Sequence, residues 1–247
     1  MRVENSFIPV RGVGEKTERA LWTDGVTHWD DFAPDVVGPT TADRIESYLA
    51  TARPRLADGD AAFFADAMPD RCRWRLYDNF RAETLFFDIE TTGLRPREDV
   101  VTTVSVHRDG DTRTYVRDAD LTREALREEF ADAKLIASFN GKQFDVPFLE
   151  RSFDLDVDVP HLDLRFLGER VDLTGGLKRV ERELDIDRDR PDISGRDAVR
   201  LWREYSSRGN DAALDTLVAY NRDDARNLRP LADRITERLH DRVFPEG

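Results

Sequence analysis

The chain has 247 residues, of which 39% are hydrophobic, enough to bury a sizeable core. Its 51 acidic residues outnumber 38 basic ones, for a net charge of −13, and Cys72 is the only cysteine. A disulfide framework and a cysteine-based zinc cluster are therefore excluded, and no apolar run approaches the length of a membrane span. The first residues, Met1 to Asn5, lack the apolar stretch of a signal peptide, so a reducing cytoplasm is the expected compartment.

Three zones follow one another. In residues 1–32, Gly12 and Gly14 form a tight turn before the helical stretch Glu15 to Trp22, and Gly25 precedes a second helix start near Trp29. This pattern predicts a helix-hairpin-helix-like segment. Gly12 and Gly14 would supply the backbone freedom, and the N–H groups beside Lys16 could hold a phosphate; a plain helix cap is the rival reading. Residues 33–82 predict a helical spacer packed on the domain that follows. Thr40 or Thr41 would cap one helix running to Arg55, and Asp60 would cap a second over Ala61 to Met68. Trp74, Leu76, Tyr77 and Phe80 are expected to pack.

Residues 83–247 open with strands. Thr84 to Ile89 is one, and Val100–His107 and Thr112–Arg117 flank Asp109-Gly110-Asp111 as a hairpin. Leu121 to Ala131 has helical spacing with Thr122 as cap, and Leu135 to Phe139 reads as a buried strand ending at Asn140-Gly141. A helix from about Val146, a short strand near His161 to Leu164 and several helices complete the chain. A meander followed by alternating helix and strand predicts a mixed α/β sheet covered by helices, preceded by a small helical region.

Candidate chemistry begins at Phe87-Asp88-Ile89-Glu90-Thr91-Thr92-Gly93-Leu94. On a strand Asp88 and Glu90 project from the same face while Ile89 points the other way. Two such carboxylates repel unless a cation lies between them, and oxygen-only ligation suits Mg²⁺ or Mn²⁺. Asp145, in Asn140-Gly141-Lys142-Gln143-Phe144-Asp145, is delivered to a helix start near the same sheet edge, where capping that helix is its competing role. Tyr220 and Asp224 lie one helical turn apart, and Asp223 is turned away from them. His161 and His240 are expected to be structural.

The conjunction of Asp-x-Glu on a strand, Asn-x₄-Asp at a strand-to-helix turn and Tyr-x₃-Asp on a late helix resembles the four-acid DEDD exonucleases of the ribonuclease H-like fold, in their tyrosine subclass. Gly176 to Leu184, with Ile193-Ser194-Gly195-Arg196-Asp197-Ala198-Val199, is similar to the YprB-like branch of that superfamily. The resemblance implies 3′→5′ exonuclease chemistry on DNA or RNA. Two Mg²⁺ or Mn²⁺ ions would be held by Asp88, Glu90, Asp145 and Asp224, and Tyr220 would orient the attacking water. Leu94 and Phe144 could touch the terminal base, although core packing is the competing role. A non-catalytic nucleic-acid-binding module and a structure-specific endonuclease stay open as alternatives.

Taken alone, the acid excess disfavours nucleic acid as a partner. Bound divalent ions would reverse the local charge, however, and molar salt shortens the Debye length to about 3 Å. Acid surplus with only four lysines (Lys16, Lys134, Lys142 and Lys178) resembles the proteins of salt-in halophiles such as haloarchaea.

Overall fold

The structure, a computed structural model, describes residues 1–244. The described chain divides into two compact units, one of residues 1–81 with 236–244 and one of Ala82–Ile235.

The first unit contains α1 (Glu15–Thr23), α2 (Pro39–Ala57), α3 (Ala61–Ala67) and α4 (Tyr77–Phe80), joined by 3₁₀ turns. It places residues 1–32 and 33–81, read separately in the sequence, within one unit. Its interior holds a buried ion pair: Arg75 Nη1 donates to Glu18 Oε1 at 2.9 Å, and the same carboxylate oxygen accepts from the Phe7 and Ile8 N–H groups. Glu18 belongs to the first predicted zone and Arg75 to the second. Separating them would strand two buried charges. Trp22, Trp29, Trp74, Tyr77 and Phe80 pack as buried core residues.

Two local expectations are corrected here. The second helix of the expected helix-hairpin-helix is a single 3₁₀ turn, Trp29–Asp31, because the Asp31 carboxylate accepts from the Thr27 and His28 N–H groups and closes a turn. The cap of α2 is Gly38 rather than a threonine. Pro39 at the first helical position has its φ preset for helix, so the helix starts before Thr40. Asp60 does cap α3, accepting from the Phe63 N–H at 3.0 Å.

The second unit is built on five strands: β1 (Thr84–Thr91), β2 (Val101–Arg108), β3 (Asp111–Val116), β4 (Leu135–Ser138) and β5 (His161–Asp163), in the order β3-β2-β1-β4-β5. The first three are antiparallel neighbours, whereas β4 runs parallel to β1 and to β5. The β2–β3 turn uses Asp109 and Gly110, both at positive φ (48° and 84°), the conformation a tight hairpin needs. Thr122 caps α5 (Arg123–Ala131) through the Ala125 N–H. The other helices are α6 (Asp145–Phe153), α7 (Leu164–Glu169), α8 (Leu177–Glu183), α9 (Gly195–Arg208) and α10 (Asp211–Val243), whose residues to Ile235 belong to this unit.

Alternation along β1 sorts its side chains. Leu85, Phe87 and Ile89 join Val104, Val106, Leu126, Phe130, Phe148 and Leu149 in one core cluster. Each fully buried side chain of this size contributes about 1.5–3 kcal/mol. The strand is therefore clamped on that face, which fixes the direction of Asp88 and Glu90 on the other. The strand continues past the expected end at Ile89, because Glu90 pairs with Thr103 and Thr91 with Val101, with a bulge between them. Among the described residues, no helix is long and apolar enough to cross a membrane.

Candidate active site

Asp88 lies opposite Ser105 and Glu90 opposite Thr103, at the centre of the sheet on the face away from the β1 core cluster. Asp224 reaches them from α10. One carboxylate oxygen from each of Asp88, Glu90 and Asp224 lies within 4.8 Å of the others. Glu90 and Asp224 are buried and Asp88 is half-buried.

Asp145 stands beside this cluster. Its Oδ1 accepts from the Ile89 N–H at 3.2 Å, tying α6 to the acid-bearing strand. It does not cap α6; Phe144 occupies the cap position and gives no side-chain bond. The turn that delivers Asp145 depends on two residues. Asn140 adopts a left-handed conformation, φ 69°, that asparagine tolerates better than most residues. Gly141 leaves no room for a Cβ, which would collide with the Ser138 side chain and come within 3.1 Å of Asp145 Oδ2. Asp163 secures the same turn by accepting from the Asn140 and Lys142 N–H groups at 2.9 and 3.1 Å.

The electrostatics follow from burial. Burial raises the Asp88 carboxyl to about 7, opposed by its bond from Asn221 and by the Arg188 charge. Glu90 and Asp145 are pushed well above the usual carboxylate range by burial and then by the negative charge of Asp88. Such a cluster holds its negative charge only with cations close by.

Two partners of the acids lie outside the sequence motifs. Asn221, fully buried, donates from Nδ2 to Asp88 Oδ2 at 2.7 Å and accepts from Ser105 Oγ at 2.8 Å. Its i,i+3 spacing from Asp224 was the available clue. Arg188, in the α8–α9 connection, donates to both Asp224 and Glu181. Nothing in the run Asp187-Arg188-Asp189-Arg190 distinguishes it from its neighbours. Asp223 is engaged elsewhere, with Arg190 and Arg226.

Tyr220 is 6% exposed, with Lys178 Nζ 5.4 Å and the Arg188 guanidinium 5.8 Å from its ring centre. Burial, then the Glu90 and Asp88 charges, push its phenol above the ordinary tyrosine value. His161 shares a hydrogen bond with Ser138 Oγ at 2.7 Å, and burial lowers its pKa to about 3.

The remaining predicted contacts separate into different settings. Leu94 is 80% exposed and borders an open groove of about 840 Å³, with Arg95, Arg97, Pro147 and Arg151 along it. Phe144 packs on Phe148, ring centres 5.0 Å apart, and against the β1 core cluster. Gly12, at φ 93°, and Gly14, the cap residue of α1, lie in the first unit with exposed Lys16.

A mixed five-stranded sheet with acids on its central strand, covered by helices, defines an RNase H-like α/β protein. The RNase H superfamily model matches residues 85–236, and the chain belongs to that superfamily. Among solved structures, the family B DNA polymerase from the archaeon Pyrobaculum calidifontis is similar at 20% identity and a TM-score of 0.51. The match covers 62% of this chain and 24% of the polymerase, so the chain spans about a quarter of that protein's length. Brucella melitensis NrnC with bound Mg²⁺ is similar at 18% identity, a TM-score of 0.47 and coverage of 66% and 77%. The same protein bound to pGG gives 18%, 0.44, and 66% and 76%. No curated protein matches the chain.

Proposed function

We propose that this chain is a metal-dependent nuclease, specifically a 3′→5′ exonuclease of the DEDD tyrosine subclass and YprB-like branch, hydrolysing DNA or RNA with two Mg²⁺ or Mn²⁺ ions. The observation that carries the reading is the convergence of Asp88, Glu90 and Asp224 within 4.8 Å on the sheet face that α10 approaches. An all-oxygen donor set fits a hard divalent cation, and carboxyls whose charge is disfavoured by burial gain most from one. Asp88, Glu90 and Asp224 would hold the ions, with Asp145 assisting from α6. When bound, the ions would acidify a water and stabilise the leaving oxygen.

The chain's own groups set the geometry of hydrolysis. Asn221 engages Asp88 Oδ2 and limits rotation of that carboxylate. The Tyr220 hydroxyl orients the attacking water but does not deprotonate it, because its pKa is raised. Oxygen from water bonds to phosphorus, the P–O3′ bond breaks, and the 3′ oxygen takes a proton. A nucleoside 5′-monophosphate leaves. The acid surplus and lysine scarcity support work in concentrated cytoplasmic salt.

The test is degradation of end-labelled linear DNA and RNA, beside circular forms, with Mg²⁺ or Mn²⁺ at low and molar salt. Stepwise loss of linear 3′ ends, abolished in Asp88→Ala and Asp224→Ala, is expected. Cleavage of circles would replace exonuclease by endonuclease action, and unchanged cleavage in either variant would overturn the metal-site assignment.

A further inference from the structure

Asp224 is occupied by a cation that belongs to the chain. Arg188 Nη2 donates to Asp224 Oδ1, while Nη1 donates to Glu181 Oε2. The Arg188 side chain is only 5% exposed, yet its Nε is buried without any acceptor. Glu181 is fully buried and has a further partner, accepting from Asn227 Nδ2 at 3.1 Å. One end of the guanidinium is thus anchored on a carboxylate outside the cluster. The other end rests on a carboxylate inside it.

A purely structural bridge would use the guanidinium fully, because burying an unpaired donor costs stability. Here Nε is unused, and the bond from Nη2 takes one of the two oxygens of a carboxylate that would hold a divalent ion. The charges also favour exchange. An ion of charge +2 among Asp88, Glu90 and Asp224 repels an arginine beside it, whereas Glu181 retains the arginine nearby. The strand of nucleic acid entering the site brings phosphate oxygens that match a freed guanidinium edge.

We propose that Arg188 is a resident counter-cation that a divalent ion displaces from Asp224, and that Arg188, still anchored on Glu181, then holds a phosphate of the nucleic acid. This inference rests on the reading of Asp88, Glu90 and Asp224 as metal ligands. It makes Arg188 a competitor of the metal before binding and a substrate contact afterwards. It also explains why a buried acid, Glu181, stands beside the cluster without joining it.

The experiment is calorimetric titration of metal-free protein with Mn²⁺ alone, for wild type, Arg188→Gln, Arg188→Lys and the double variant Glu181→Gln/Arg188→Gln, with circular dichroism confirming folding. Arg188→Gln is expected to bind Mn²⁺ about tenfold more tightly, because no cation has to leave, and Arg188→Lys to fall between it and wild type. At saturating Mn²⁺, Arg188→Gln should show a KM for a linear oligonucleotide raised about tenfold. A merely structural bridge predicts the opposite sign for the metal, weaker Mn²⁺ binding on loss of the arginine. Unchanged or weaker binding in Arg188→Gln would overturn the proposal. If that variant does not fold, the double variant carries the same test, since its residue 181 has no charge to strand. Wild-type protein that binds no Mn²⁺ would overturn the metal-site reading itself; wild-type binding with no gain in the variants would overturn only the role of Arg188.

Discussion

Asn221 Nδ2 donates to Asp88 Oδ2 at 2.7 Å and to the Asp88 carbonyl oxygen at 3.2 Å, joining α10 to the central strand at the acid cluster. The bond from Ser105 to Asn221 Oδ1 completes the link. Replacing Asn221 by Leu leaves Ser105 and Asp88 without this partner in a buried setting. A loss of about 1–3 kcal/mol in stability is expected, with reduced nuclease activity at saturating metal. Urea denaturation followed by fluorescence measures the first and an oligonucleotide assay the second.

Asp88→Asn and Asp224→Asn should each lower nuclease activity at least about a hundredfold, since each removes a carboxylate proposed to hold metal. Asp223→Asn is the internal control. Asp223 pairs with Arg190 and Arg226 and does not join the cluster, so its loss should alter activity only a few-fold, roughly the scale of an outlying ion pair. Equal losses at 223 and 224 would contradict the assignment of roles on α10.

Tyr220→Phe keeps the ring among Trp202, Leu217 and its other neighbours and removes only the hydroxyl. Turnover should fall while the pH–rate profile keeps its shape, because the phenol is held above its ordinary value and does not titrate near neutrality. Loss of a basic limb from the profile would show that Tyr220 acts as a base.

The metal-free protein should become less stable as pH rises. The Asp88 carboxyl moves from 3.8 to about 7 on folding, so the folded state binds its proton more strongly than the unfolded state. The resulting stabilisation is fully present below 3.8 and is lost as pH rises through about 7. Glu90 and Asp145 act in the same direction. Thermal melts of chelated protein between pH 5 and 8 should therefore fall more steeply for wild type than for Asp88→Asn (a window of roughly the Asp88 shift), and Mg²⁺ should restore more stability at the upper end.

Gly141→Ala should damage both fold and site. The new methyl group collides with Ser138 and crowds Asp145, so either the turn or α6 must move. A cost of about 1–3 kcal/mol is expected from overpacking. Activity should drop further than stability alone explains, measured at a temperature where the variant remains folded.

Strand and helix periods were legible because they are local. The alternation in Leu85 to Glu90, the turn residues Asp109-Gly110 and the caps Asp60 and Thr122 each act within a few residues, and the structure contains those elements. The α2 cap and the second helix of the N-terminal segment were misread for equally local reasons: Pro39 starts α2 early, and Asp31 closes a turn where helix was expected.

By itself the sequence determined the mixed α/β sheet covered by helices and which acids share a strand or helix face, because strand alternation and helical repeat are local. The RNase H-like class was implied by the resemblance of its motifs. Only the tertiary structure decided that Asp88, Glu90 and Asp224 meet, that Asp145 binds the Ile89 N–H instead of capping its helix, and that Asn221 and Arg188 are their partners. Those relationships join residues 36 to 136 positions apart, as for Arg188 with Asp224 and Asp88 with Asp224. They arise from where α6, α10 and the α8–α9 connection pack on the sheet, which no local pattern encodes.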